Sequence, residues 1–334
     1  MDSIPDSDLL SDLSRAFEAR EGLLDPDHEG ALRLFNGFLE GPPGLSLVAD
    51  LYGRTLLLQE DASTRREAAM AQTFYLERLP WLEAVVVKTR SGADPQARRG
   101  LLTFGEAPDR KVCENGVWYA LDLQMNSAAS LFLDTRGLRA WLKAHLGGRS
   151  ALNTFAYTGS LGVAARAGGA ARVVHLDLNR SFLEIAKASY ALNGFKIQPS
   201  DFIAGDFWSE VNAFKRRGEL FDCVLLDPPF FSTTRRGRVD LVHQSQRVIN
   251  KVRPLAAHGG ILVAINNALF ASGAEYLALL EDLCADGFLK IEELIPVPED
   301  FTGFPHTRVR NPPTDPAPFN HSTKIAVLSV RRKS

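Results

Sequence analysis

From about residue 138 onward, short apolar runs alternate with longer amphipathic stretches. This alternation constrains the fold more than any other feature of the chain, because βαβ units around a parallel sheet are the architecture that accommodates it. It predicts strands at 151–156, 172–177, 201–204, 221–226, 260–265, 289–296 and 324–331, and hence a doubly wound α/β sheet. Between the second and third of these, Ser181-Phe182-Leu183-Glu184 has the form of a capping box and Gly194 follows the last turn, which predicts a helix over 182–193.

The earlier part of the chain reads differently. Residues 45–50 and 55–59 flank Tyr52-Gly53-Arg54 as the arms of a β-hairpin, 84–88 offers another strand, and 91–110 is a polar loop rich in Gly, Pro and Arg. The expected organisation is an acidic N-terminal helical segment over 1–30, a small α+β domain over 31–125 and the doubly wound domain over 126–334. Within the last, Val297 to Thr323 carries six prolines and is too long for a routine connection, so it is either a functional loop or a disordered one.

With 334 residues, 45% hydrophobic and 23% charged, the composition excludes disorder, collagen and coiled coil for the whole chain and leaves room for about two domains. The longest apolar runs, 223–226 and 261–265, fall far short of the ~20 residues of a membrane helix. The segment from Met1 to Asp8 is acidic and lacks the basic and apolar regions of a secretory signal, so a cytoplasmic protein with no membrane contact is expected. Cys113, Cys223 and Cys284 are too scattered for disulfides or a zinc cluster, and no metal is expected. Residues 1–50 hold 11 acidic and 3 basic side chains, against 29 and 35 in the remainder, an excess that fits either a basic face or charge spread over the surface.

Asn153 to Gly162 puts a strand directly before a glycine turn, Gly159-Ser160-Leu161-Gly162, and a helix. Doubly wound sheets bind nucleotides at such a place, although any tight strand-to-helix turn looks alike. Asp177 ends the second strand, where a carboxylate can accept both ribose hydroxyls, and Gly205-Asp206-Phe207 ends the third, where an adenine edge can be held. A nicotinamide dinucleotide calls for G-x-G-x-x-G, which this turn lacks. S-adenosylmethionine has no phosphate and suits the looser turn.

The fourth strand ends in Asp227-Pro228-Pro229-Phe230. Two prolines fix the backbone and remove amide donors, leaving carbonyls and the Asp227 side chain for a bound base while Phe230 stacks on it; a rigid turn with an apolar plug is the plainer alternative. Together with Arg33-Leu34-Phe35-Asn36, Val87-Lys88-Thr89-Arg90, Leu131 to Arg136, Phe155 to Ser160, Leu192-Asn193-Gly194 and Ile265-Asn266-Asn267, this motif makes the chain resemble the class I S-adenosylmethionine-dependent methyltransferases over roughly residues 30–330. The resemblance is closer to the bacterial 23S ribosomal RNA methyltransferases of the RlmI and RlmK type, nearest to the guanine-N7 RlmK-like domain. It implies a Rossmann-like methyltransferase sheet over 126–334, preceded by a small domain that could bind RNA. It further implies that Phe155, Tyr157, Thr158, Gly159, Ser160, Asp177, Leu178, Asp206, Phe207 and Asp227 contact S-adenosylmethionine and that Asp227, Pro228, Pro229 and Phe230 form the catalytic corner. Phe132, Asp134 and Arg136 look like the family's segment against the cofactor pocket, with an ion pair at a helix start as the alternative.

Cytosine C5 becomes nucleophilic only after a thiol adds to the neighbouring carbon. Some relatives carry a cysteine after the fifth strand, where this chain has Ala264 to Ala268, so that acceptor is disfavoured. Guanine N7 has a free lone pair and needs alignment more than a base. Asn266 and Asn267 resemble the guanine-N7 member and could read a purine edge, while an exocyclic amine is the close competitor. Arg235, Arg236 and Arg238, with Phe301, Phe304, His306, Arg308 and Arg310 in the long loop, combine cations and rings suited to RNA, or are a solvated cluster and a connector. No PUA or THUMP module is recognisable, so RNA contacts are expected from the small domain and the loops. The expected substrate is ribosomal RNA; a protein or small-molecule acceptor, and a non-catalytic RNA-binding protein, are the competing readings.

Overall fold

The computed structural model describes residues 5–91 and 94–332. The first four residues of the acidic segment, Gly92 and Ala93 of the polar loop, and the final two residues of the 126–334 domain lie outside the described residues. The chain forms two compact units, Met1–Leu133 with Pro298–Pro312, and Asp134–Val297 with Pro313–Ser334.

In the first unit, α1 (Asp6–Glu18) buries Leu9, Leu13, Ala16 and Phe17, a stripe at helical spacing. A five-stranded sheet follows, in the order β1 (Ala31–Asn36), β2 (Val48–Tyr52), β3 (Thr55–Glu60), β4 (Ala84–Thr89), β5 (Leu101–Phe104), with α2 (Gly37–Glu40), α3 (Arg65–Arg78) and α4 (Pro95–Arg99) between strands. The hairpin expected around Gly53 joins β2 to β3, with Gly53 at φ +60°; its first strand begins at Val48, later than the apolar run suggests. A second hairpin, β6 (Lys111–Glu114) with β7 (Val117–Ala120), completes the strands.

Residues 298–312, grouped with the second domain by sequence, are built into the first unit. Buried Arg20 pairs with buried Glu40 at 2.9 Å and donates to the carbonyl of Asp300. Glu40 also accepts from the Thr307 hydroxyl, and the Arg33 guanidinium lies 3.7 Å from the centroid of the Phe301 ring. The first half of the proline-rich stretch is thus ordered by buried polar contacts, which an isolated loop could not satisfy.

The second unit holds the seven-stranded sheet. After α5 (Arg136–His145) come β8 (Ser150–Thr154), α6 (Ser160–Ala167), β9 (Arg172–Asp177), α7 (Arg180–Leu192), β10 (Phe202–Ala204), α8 (Phe207–Arg216), β11 (Phe221–Leu226), the hairpin strands β12 (Phe231–Thr234) and β13 (Gly237–Asp240), α9 (Ser245–Val252), β14 (Ala256–Asn266), α10 (Gly273–Cys284), β15 (Leu289–Ile295) and β16 (Lys324–Val330). The sheet order is β10-β9-β8-β11-β14-β16-β15; the first five strands are parallel and β16 runs antiparallel to both neighbours. This is the Rossmann-like doubly wound fold expected, with the order reversing at β8. Alternate residues of each central strand feed two cores: Leu152, Val174, Val224 and Leu262 on one face, Ala151, Val173, Leu225 and Val263 on the other. Burial on both faces is why the strands read as unbroken apolar runs.

Three local expectations need correction. β8 stops at Thr154 because Phe155 and Tyr157 take φ +53° and +50°, outside the strand region. The N-cap of α7 is Asn179, whose side chain accepts from the Ser181 amide at 2.9 Å, so Ser181 lies inside the helix; the box motif forms instead between Ser272 and Glu275, opening α10. The hairpin β12–β13 stands where the sequence reading placed an arginine cluster and no strand. Among the described residues no helix is long and apolar enough to cross a membrane.

Candidate active site

The carboxyl ends of β8, β9, β10, β11 and β14 converge at the strand-order reversal. Gly159 sits at φ +78° and begins α6, and the neighbouring Gly162 lies against His175 of β9, where a Cβ would approach the imidazole Cε1 to 2.4 Å. The spacing of the two glycines thus serves close packing of helix on strand as well as the turn. His175 is fully buried, bonds the Tyr190 hydroxyl at 3.0 Å and stacks on Phe202 at 5.0 Å; burial drives its pKa down to about 3 and keeps it neutral.

Asp177 accepts the Tyr157 amide on one oxygen and the Asn179 amide on the other, both at 2.8 Å, which fixes its carboxylate across the mouth of the turn. Burial raises its pKa against the lowering effect of those amides. Asp206 caps α8 through Oδ1, which accepts from the Ser209 amide at 3.1 Å, while Oδ2 is buried with no hydrogen-bond partner. Beside it Phe207 packs on Phe155 at 4.4 Å, and Tyr157 meets Phe182 edge to face at 4.6 Å. Thr158 is buried, Ser160 half-buried, and Leu178 is 67% exposed at the rim. A buried acceptor calls for a donor. The exocyclic amine of an adenine supplies one, and Asp177 keeps lone pairs for ribose hydroxyls, so these residues fit S-adenosylmethionine.

At the end of β11 the Asp227 carboxyl has no hydrogen-bond partner among the described residues, and burial, then the nearby Asp134 charge, push its pKa up to about 7. Asp134 itself accepts from the Thr323 hydroxyl at 2.8 Å, a contact between chain positions that no local signal could disclose. Asp134 and Arg136 belong to the second unit, but Phe132 and Arg308 belong to the first. Pro228 is buried, Pro229 is exposed and Phe230 is 61% exposed.

The asparagine pair splits. Asn266 is buried, its amide donating to the Leu241 carbonyl and the Ser245 hydroxyl while its oxygen accepts from Ala268 N. It therefore clamps α9 to the loop after β14, and its expected reading of a base edge is corrected. Asn267 donates to the Pro228 carbonyl at 3.2 Å, so that carbonyl is engaged rather than open, and its Oδ1 is buried with no partner. Arg235 and Arg236 occupy the exposed tip of the β12–β13 hairpin, and Arg238 pairs with Asp240 at 2.6 Å. Lys324, which sequence reasoning missed, is fully buried and donates to the carbonyls of Ala268, Ala271 and Ser322, holding the loop that carries Asn267. Its one sequence signal is a lysine opening an apolar strand. Among the described residues, no group of three or more His, Cys, Asp or Glu side chains is placed to hold a metal ion.

Residues 91–305 match the family model of S-adenosylmethionine-dependent methyltransferases. The ribosomal RNA large subunit methyltransferase I of Aeromonas salmonicida is 29% identical over 288 residues, covering 84% of this chain and 70% of that protein. The protein of the same name from Yersinia pseudotuberculosis is 29% identical over 296 residues, covering 83% and 70%. Among solved structures, the crystal structure of SMU.776, assigned as a methyltransferase and complexed with SAH, superposes with a TM-score of 0.84 at 18% identity, covering 99% of this chain and 83% of that one.

Proposed function

This chain belongs to the S-adenosylmethionine-dependent methyltransferase family, and from that premise we propose that its acceptor is a base of 23S ribosomal RNA in the cytoplasm, with guanine N7 as the atom methylated. The RNA reading rests on the relatives named as large subunit ribosomal RNA methyltransferases, aligned over more than four fifths of the chain. Bound S-adenosylmethionine supplies an electrophilic methyl group on a sulfonium. The chain's own part is to hold and to orient. Phe155 to Ser160, Asp177 and Asp206 bind the cofactor, Leu178 and Phe207 flank it, and Asp227 to Phe230 shape the place of the base.

The choice of atom follows from what the corner offers. Cytosine C5 chemistry requires a thiolate beside the base. Of the second unit's two cysteines, Cys223 is fully buried within β11, where burial pushes its thiol up to about 12, and Cys284 ends α10. Guanine N7 asks chiefly for alignment, for which the rigid Pro228-Pro229 turn and the Phe230 ring are suited. One observation favours a second reading, methylation of an exocyclic amine: Asp227 and Asn267 Oδ1 are two acceptors left without partners among the described residues, suited to a pair of N–H bonds.

Labelled methyl transfer to unmodified ribosomal RNA, followed by nucleoside mass spectrometry, tests both. Label in 7-methylguanosine is the expected result, and label in an N-methylated amine selects the second reading. Cofactor binding without label in any RNA overturns the RNA acceptor.

A further inference from the structure

We propose that the corner carries a stacking platform for an unpaired RNA segment, in which Phe231 and Phe270 hold nucleotides next to the acceptor base and Arg235 and Arg236 take the backbone phosphates. The inference rests on the RNA reading above. Its observation is a set of exposed apolar side chains on two chain segments that a hydrogen bond joins, the end of β11 into β12 and the loop after β14: Phe230 is 61% exposed, Phe231 48%, Leu269 44% and Phe270 75%. The loops are joined where Asn267 donates to the Pro228 carbonyl at 3.2 Å, and the hairpin base is fixed where Leu241 N donates to the Phe230 carbonyl at 2.9 Å. Phe230 and Phe270 contact no other aromatic ring among the described residues, and Phe231 faces the Arg238 guanidinium at 4.8 Å. Burying phenylalanine rings is favourable, so a patch of this kind beside a reaction centre is a surface awaiting cover.

The cover is a polyanion with flat faces. The β12–β13 hairpin pairs Phe231 with Asp240 through to Thr234 with Gly237, which puts Arg235 and Arg236 at its tip, on the order of 13 Å from Phe231 at ~3.4 Å per residue. Neither arginine has an acidic partner among the described residues. The hairpin is seated rather than loose, since Gly237 lies on the Trp208 indole, where a Cβ would come within 2.5 Å. Aromatic rings accept a base only when its face is free of its own stack, so the ligand is single-stranded or opened RNA. Lys324 donates to the carbonyls of Ala268 and Ala271 and so fixes the backbone on either side of Phe270.

The test compares wild type with Phe270→Ala, Phe231→Ala, Phe270→Trp and the Arg235→Ala/Arg236→Ala double variant. Binding to a short 23S-derived RNA, as single strand and as duplex, is measured by fluorescence anisotropy, with cofactor affinity as control. Each alanine at a ring is expected to weaken single-strand binding roughly 5- to 150-fold, with Phe270→Trp restoring it and cofactor affinity unchanged. The arginine variant is expected to reduce the salt slope by about 1.4, for two phosphate contacts at ~0.7 each. Wild-type RNA affinity in both ring variants, or duplex bound as tightly as single strand, overturns the platform while leaving RNA methylation standing. Wild-type protein that neither binds nor methylates RNA overturns the acceptor reading itself.

Discussion

Asp206→Asn separates the two duties of one carboxylate. Oδ1 caps α8 through the Ser209 amide, and Oδ2 is the buried acceptor, unpartnered among the described residues, that we propose for the cofactor's adenine. Asparagine and aspartate are nearly equal as N-caps, so the free protein keeps its helix by turning the amide oxygen to Ser209, at a loss of about 0.3–1 kcal/mol from the helix-dipole interaction. The amide nitrogen then points where Oδ2 was and meets the adenine amine donor to donor. Flipping the side chain restores that acceptor only by presenting a donor to the Ser209 N–H, which forfeits the cap. Either route costs ~1–3 kcal/mol on binding, a loss of roughly 5- to 150-fold in affinity. Isothermal titration with S-adenosylmethionine measures the affinity, and urea unfolding measures the cap. Wild-type affinity in a variant of near wild-type stability would refute the placement of Oδ2 against the cofactor.

Asp177→Ala should weaken cofactor binding, whereas Asp227→Ala should mainly lower turnover; equal cofactor affinity in wild type and the Asp177 variant sinks that assignment. Gly162→Ala places a Cβ 2.4 Å from His175 Cε1 and 2.9 Å from Val173 Cγ1, so it should destabilise by ~1–3 kcal/mol despite alanine's helix preference, and an unchanged urea midpoint would count against it. Asp227 titrates near 7 when folded against a reference value of 3.8, so it binds its proton more tightly in the native state; its contribution to stability is present below 3.8 and lost as pH rises to about 7. His175 acts with the opposite sign, its contribution being present above 6.5 and lost as pH falls towards about 3. Unfolding curves across pH 4–8 should therefore rise more steeply with pH in Asp227→Asn than in wild type, and parallel curves would exclude a raised Asp227 pKa.

The central strands of the second unit, β8, β11, β14 and β16, were legible because they are buried on both faces, which writes the strand into the sequence as a contiguous apolar run. The hairpin at Phe231–Asp240 was not, since only two of its eight paired residues, Phe231 and Val239, have large apolar side chains and its partner surface, Trp208, is fixed only by the fold. Likewise nothing near residues 298–312 announces their place in the first unit. What holds them is a buried Arg20–Glu40 pair that, besides its local bonds, donates to the Asp300 carbonyl 280 residues on and accepts from the Thr307 hydroxyl 267 residues on. Such long-range polar satisfaction leaves no periodic trace.

Asn266 and Asn267 show where sequence reasoning about a site stops. Both have the amide that reading a base edge requires, but Asn266 is the last residue of β14 and Asn267 the first beyond it. The one enters the packing between β14 and α9, where the Leu241 carbonyl and Ser245 hydroxyl consume its donors; the other, released from the strand, turns to Pro228 and retains an acceptor unmatched among the described residues. Residue type supplied the chemistry, but the place where one strand ends decided which copy is free to use it. The pair is thereby its own control: Asn266→Ala should lower stability by breaking a buried clamp, and Asn267→Ala should fall chiefly on acceptor recognition, so a reversal of those two effects would dismantle the assignment of the corner.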